Sequence, residues 1–200
     1  MYTAFSGAAE EILRGISEAI REIDLSQVGE MLSALLQVGN EGKKVLVVGA
    51  GRSGLVGKAF ALRLMHLGFN IYVMGETINP SVGEGDLVFV ISGSGSTALP
   101  LTVARMAKGL GAKVLAVTSY PDSPLGVVAD LVVHLPGRVA IADEVEYQSR
   151  QLLGNHESLA PMGTMFEDSC MVFLDCVIAE LMGQMGVSEE KMKSKHATIE

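Results

Sequence analysis

Two short stretches rich in glycine and hydroxyl side chains have the composition of anion-binding turns. The first reads Gly49-Ala50-Gly51-Arg52-Ser53-Gly54 and the second Ser92-Gly93-Ser94-Gly95-Ser96-Thr97. Glycine lets the backbone curl tightly. Where a helix follows, the N–H groups of its first turn converge, and the helix dipole favours a negative charge there. The hydroxyls of Ser53, Ser92, Ser94, Ser96 and Thr97 add hydrogen bonds without adding charge. Arg52 is a cation that could steady a phosphate, or stand in solvent. The first stretch also fits G-x-G-x-x-G, and Glu76, 22 residues after Gly54, stands where an acid would meet a ribose. A dinucleotide site needs no second hydroxyl-rich turn on another strand, so the pair of loops favours a compact phosphomonoester over NAD.

One carboxylate invites a catalytic reading. Thr164-Met165-Phe166-Glu167 is a T-x-x-E capping box at the start of a helix, and capping alone would account for it. Its neighbours Met162, Met165 and Phe166 are apolar, and desolvation would raise a carboxyl pKa towards that of a working base. At this level both roles stay open. Of the four histidines, His66 ends a helix, where it would meet the dipole. His134 sits in a strand pattern, His156 in a long loop and His196 in the tail. None has a second ligand at metal spacing, so no metal is expected. Cys170 and Cys176 lie about 240° apart on one helix and read as two small buried thiols rather than a disulfide.

The elements that would position these residues alternate. Residues 3–23 carry apolar side chains at helical spacing. Asp24 with Gln27 predicts a capping box opening a second helix to about Val38. Five β-branched runs follow: 44–48, 70–74, 86–91, 113–119 and 130–135. Helices are expected over 55–67, closed by Gly68, over 97–110, and in brief at 121–129. Both flanks of the strands are apolar, as when helices cover both faces of a parallel sheet. Residues 136–162 are irregular and polar, the kind of long loop that is functional or mobile. The stretch from Gly163 to Gly183 is apolar almost all round, yet Glu167, Asp168, Asp175 and Glu180 exclude a membrane span. Such a helix should be buried, with a second subunit as part of its cover. The pattern is that of one α/β domain over 1–200, with N-terminal helices to about 40 and a C-terminal helix and tail from about 163.

Composition narrows the partners. The chain has 200 residues, 48% hydrophobic and 19% charged, which excludes disorder and leaves apolar surface for another subunit. Fifteen basic against twenty-three acidic residues give a net charge of −8. That balance disfavours nucleic acid and anionic membranes. Residues 1–43 hold three basic and seven acidic side chains, which argues against a DNA-binding module. The N-terminus lacks the basic and apolar regions of a signal peptide, so a cytoplasmic location is expected.

The motifs VGAGRSG (48–54), FALRLMHLG (60–68), VMGET (73–77), ISGSGST (91–97), LAPMGTMFED (159–168) and KHATIE (195–200) carry a specific resemblance. The chain resembles the sugar-isomerase (SIS) family of phosphosugar-binding domains, and within it the 6-phospho-3-hexuloisomerases. That resemblance implies a flavodoxin-like, three-layer αβα sandwich with a five-stranded parallel sheet. It implies interconversion of D-arabino-hex-3-ulose 6-phosphate and fructose 6-phosphate through an enediol, in the ribulose monophosphate route of formaldehyde assimilation. It also implies a homotetramer, no cofactor, and hexulose-phosphate synthase as functional partner. Glu167 then becomes the proton acceptor, His196 a proton carrier, and Arg52, Ser53 and residues 92–97 the substrate-binding set. Another phosphosugar isomerase, or a non-catalytic phosphosugar sensor, is the alternative. The chain departs from the family at Ser96, where glutamate is frequent, and at Lys195, where arginine is. Its 138–160 segment is longer than in some relatives.

Overall fold

The structure is a computed structural model, and it describes residues 3–137, 160–161 and 163–195. Two helices, α1 (Thr3–Glu22) and α2 (Leu25–Asn40), precede β1 (Lys44–Gly49). Then come α3 (Gly51–Leu67), β2 (Asn70–Val73), β3 (Leu87–Ile91), α4 (Ala98–Gly109) and β4 (Lys113–Thr118). The order ends with α5 (Pro124–Val128), β5 (Leu131–His134), α6 (Thr164–Met185) and α7 (Glu189–Lys193). All five strands are parallel, in the order β2-β1-β3-β4-β5. The expected α/β sandwich is therefore present. The chain leaves β1 towards one edge for β2 and returns to the other side for β3. That reversal is the switch point at which open α/β sheets bind ligands.

Strand alternation divides the core in two. Val45, Val47, Phe89, Ile91, Leu115 and Val117 face α2, α3 and α6. Leu46, Val48, Val88, Val90, Val114 and Ala116 face α4 and α5. Phe60 of α3 meets Phe89 of β3 with ring centroids 5.0 Å apart, which ties the first helix after β1 to the central strand. At the amino ends of the strands two aspartates perform the same task. Asp86 accepts from the N–H of Lys44 (2.9 Å) and of Gly83 (3.0 Å) and pairs with the Lys44 ammonium (3.1 Å). Asp130 accepts from the N–H of Val114 (2.8 Å) and pairs with Lys108. Each carboxylate thus caps the neighbouring strand where its ladder would otherwise begin with an unpaired donor.

Several expectations change. Helix α3 starts at Gly51 rather than 55, because the second half of the glycine loop is already its first turn. Asp24 does cap α2 through the N–H of Ser26, but Gln27 does not close a box; its side-chain oxygen accepts from the N–H of His134 instead. Helix α6 is not covered all round within one chain. It buries Phe166, Cys170, Phe173, Leu174, Val177 and Leu181 and leaves Val172, Asp175, Cys176 and Glu180 exposed. Cys176 is consequently a surface thiol and not the buried one expected, whereas Cys170 is fully buried. No described helix is long and apolar enough to cross a membrane.

Candidate active site

Both glycine loops lie at the carboxyl ends of the two strands that flank the switch point, β1 and β3. The first makes a close approach. A Cβ on Gly49 would stand 2.8 Å from the backbone of Ser53 and Gly54, so β1 and α3 join with no room for a side chain. In the second loop Gly95 has φ +59° and turns back to donate to Ser92 O at 3.0 Å. Its own carbonyl accepts from Leu125 N, and the Gly93 carbonyl accepts from Ser119 N. The β4–α5 connection therefore backs the loop, a role its Thr118–Ser123 hydroxyl cluster could have signalled and sequence reasoning missed. The hydroxyl of Ser94 lies 3.2 Å from that of Thr97 and accepts from Ser96 N. Ser92 is buried, and its Oγ has no hydrogen-bond partner among the described residues. A buried hydroxyl left unpaired beside a turn of this kind has the chemistry to meet a ligand oxygen.

Helix ends carry the same message. Asp24, Ser123 and Ser188 cap α2, α5 and α7 with their side chains. The N-termini of α3, α4 and α6 have no side-chain cap at all. Those are the three helices that start at the glycine loops and at Glu167. Each leaves first-turn N–H groups without an intrahelical acceptor, and each presents a positive dipole end.

Helix α6 closes the site. Its Phe166 ring packs where a Cβ of Gly93 would be, 2.8 Å from the nearest ring atom. The next residue reaches the first loop: Glu167 Oε1 accepts from Ser53 Oγ at 3.4 Å, and Oε2 lies 3.5 Å from Arg52 Nε. Arg52 also donates to Asp168 at 3.1 Å. The expected capping box at 164–167 does not form. Gly163, with φ +86°, is the N-cap, and Thr164 is already inside the helix. The carboxylate of Glu167 folds back over Gly163, 2.7 Å from the place a Cβ there would take. Glu167 is only 8% exposed. Its surroundings are not purely apolar, however, since the half-exposed Arg52 stands beside it. Burial opposes the carboxylate charge and the guanidinium supports it. One turn on, burial and the charge of Glu167 push the Cys170 thiol well above its ordinary range, so it stays neutral.

The structure thus brings Arg52, Ser53, Glu167 and the 92–97 loop to one place. It adds Asp168, which in the sequence counted only as one of the charges that exclude a membrane span. Glu76 pairs with Lys58 at 2.6 Å. His66 is buried at the last turn of α3 and lines a cavity of about 370 Å³ with Arg63, Asp175 and Lys193. His134 donates its backbone N–H to Gln27. His156, His196, Met162 and most of 138–160 lie outside the described residues. Lys195, just before His196, has its Nζ against Gly68, the C-cap of α3 and the far end of that helix from Ser53. Among the described residues no group of histidines, cysteines and acids could hold a metal ion.

Comparison with known proteins agrees with this arrangement. The chain is 57% identical over 190 residues to an uncharacterized protein of Aeropyrum pernix, covering 95% of this chain and 90% of that one. It is 36% identical over 190 residues to the 3-hexulose-6-phosphate isomerase of Bacillus subtilis, covering 95% and 96%. A crystal structure from Methanococcus jannaschii, described as inferring 3-hexulose-6-phosphate isomerase function, superposes with a TM-score of 0.74 at 32% identity and covers 98% of each chain. The sequence model of the SIS domain matches residues 40–149, a stretch that takes in the whole sheet and both glycine loops. From the switch point to its hydroxyl-lined turns, this chain belongs to the SIS domain family.

Proposed function

We propose that the protein is a cofactor-free isomerase that interconverts D-arabino-hex-3-ulose 6-phosphate and fructose 6-phosphate. The observation that carries this reading is the placement of a buried carboxylate, Glu167, against the first glycine loop and next to the second. Residues 92–97, with the α4 N-terminus, hold the phosphate by N–H groups and hydroxyls. Ser53 and Arg52 hold the reacting end. Moving a ketone from C3 to C2 requires removal of the C2 proton, which Glu167 accepts. An enediol forms across C2 and C3, the proton returns at C3, and a second proton passes from O2 to O3. A positioned base contributes typically ~10²–10⁴-fold. Closing a ring onto C3 would use O6, which carries the phosphate, so the 3-ketose is open and needs no ring-opening acid.

His196 is the proposed carrier of the second proton, and it acts in the site of another subunit. Helix α3 has 17 residues, about 25 Å at ~1.5 Å per residue, and it separates Lys195 at Gly68 from Ser53 in the same chain. The proposal extends to a homotetramer in the cytoplasm, fed or drained by hexulose-phosphate synthase in formaldehyde assimilation. A sensor without catalysis would have no use for a carboxylate buried beside the substrate cradle. The test is an assay coupling fructose 6-phosphate formation to NADPH through phosphoglucose isomerase and glucose-6-phosphate dehydrogenase, in EDTA. Steady turnover of hexulose 6-phosphate is expected; its absence with active coupling enzymes refutes the reading.

A further inference from the structure

Arg52 stands between two carboxylates on consecutive residues of α6. Its terminal Nη2 donates to Asp168 Oδ1 at 3.1 Å, while its Nε lies 3.5 Å from Glu167 Oε2. The first distance is a hydrogen bond; the second is an ion contact beyond the usual range of about 2.7–3.2 Å. The Glu167 side chain is 10% exposed and that of Asp168 41%. A guanidinium closed into a charge-assisted hydrogen bond with the buried carboxylate would favour its ionised form more strongly than the present 3.5 Å contact does, and make it a weaker base. The guanidinium instead gives its better hydrogen bond to the exposed acid next door.

We infer that Asp168 is a positioning residue that holds Arg52 in a stand-off from Glu167 and so preserves the proton affinity of the base. The inference rests on the reading of Glu167 as proton acceptor. Arg52 of α3 contacts that carboxyl, Asp168 follows it on α6 and pairs with the same guanidinium, and Cys170 lies close enough to feel its charge. The 92–97 loop, which meets α6 through Gly93 and Phe166, brings no charge. The sign follows directly. Asp168→Asn removes both the competitor for the guanidinium and a neighbouring negative charge, and each change favours ionised Glu167. Arg52→Gln does the opposite.

The test is a ¹³C NMR titration of protein labelled at the glutamate carboxyls, the Glu167 signal being assigned by its loss in Glu167→Gln. Asp168→Asn should lower the midpoint by about one pH unit, and Asp168→Glu, which keeps the charge, should return it towards that of the parent protein. In an Arg52→Gln background the same Asp168→Asn change should move the midpoint by less than half as much. The acid limb of turnover should follow the midpoint down, with a lower plateau. An unchanged or raised midpoint in Asp168→Asn overturns the inference, as does an equal shift in both backgrounds. The titration needs no substrate. A protein that titrates as expected but does not isomerise hexulose 6-phosphate would refute the proposed reaction and leave the stand-off intact.

Discussion

Replacing Glu167 with glutamine separates a catalytic carboxylate from a structural one. The substitution keeps the shape that fills the space over Gly163. The amide oxygen can still accept from Ser53 Oγ, now 3.4 Å from the carboxylate. The 3.5 Å ion contact with Arg52, whose side chain is 56% exposed, is lost. Solvent screening limits such a pair to about 0–1 kcal/mol. Burying a neutral amide in place of a charge offsets part of even that. With Gly163 as N-cap, no capping box is broken. Stability should therefore change by no more than about 1 kcal/mol, or roughly 2–4 °C in Tm for a chain of this size. Turnover should behave quite differently. Losing a general base costs ~10²–10⁴ in rate, which at about 1.36 kcal/mol per decade is roughly 3–5 kcal/mol of barrier. The loop proposed to bind the phosphate is untouched, so KM should change little. The coupled assay and a thermal melt on the same preparation read both quantities. Near-normal turnover with a Tm lowered by several degrees would show that Glu167 only packs the start of α6, and the proton-transfer reading would fall.

Other outcomes follow from the same structure. Sugar 6-phosphates at about a hundred times Kd should stabilise the fold by ~2.7 kcal/mol, a rise in Tm of roughly 5–10 °C, whereas NAD and NADP should leave it unmoved; saturable NAD binding at micromolar concentration would reverse the choice made between the two glycine-loop readings. Glu167→Ala and His196→Ala, each inactive alone, should regain activity when unfolded and reassembled together, with about a quarter of sites complete if sites are shared between symmetric partners; no recovery, or a fully active His196→Ala, would sink the shared site. Asp86 is affected first by burial, which pushes its pKa up, but the N–H groups of Lys44 and Gly83 and the Lys44 ammonium outweigh that and hold it below the ordinary value. Its stabilisation is then present above pH ~3.9 and lost as pH falls through the lower folded value. Asp86→Asn should accordingly cost about 1–3 kcal/mol near neutrality, measured by urea unfolding, and the gap to the parent protein should close below pH 4; a gap independent of pH would refute this account of the strand caps.

Much of the fold was legible because its signals are local. A β-branched run ending in glycine, followed by a helical stripe, needs only near neighbours to be read, and five such runs imply a parallel sheet. The boundaries moved where local chemistry was ambiguous. Gly51-Arg52-Ser53-Gly54 looks like loop and is the first turn of α3. Gln27 looks like a capping partner, yet it bonds to His134, 107 residues away. Cys176 sits in an apolar stretch and is exposed, because α6 is buried by α1, α2 and α3 on one face only.

The proposed site divides along the same line. The two glycine loops have the composition of anion-binding turns, since backbone freedom and hydroxyls are carried within six residues each. That they lie side by side depends on strand order, and β1 lies beside β3 although β2 intervenes in the chain. Glu167 had two local explanations, a cap and a base, and neighbouring residues could not choose between them. Packing removes the cap, by making Gly163 the N-cap, and turns the carboxylate towards Ser53, 114 residues earlier. Asp168 was invisible for the same reason: its partner Arg52 lies 116 residues away, and no periodicity or turn rule extends so far. Contacts over such separations form only when the sheet and its covering helices have been assembled by burial of the core, a non-directional force that leaves little trace in any short stretch of sequence.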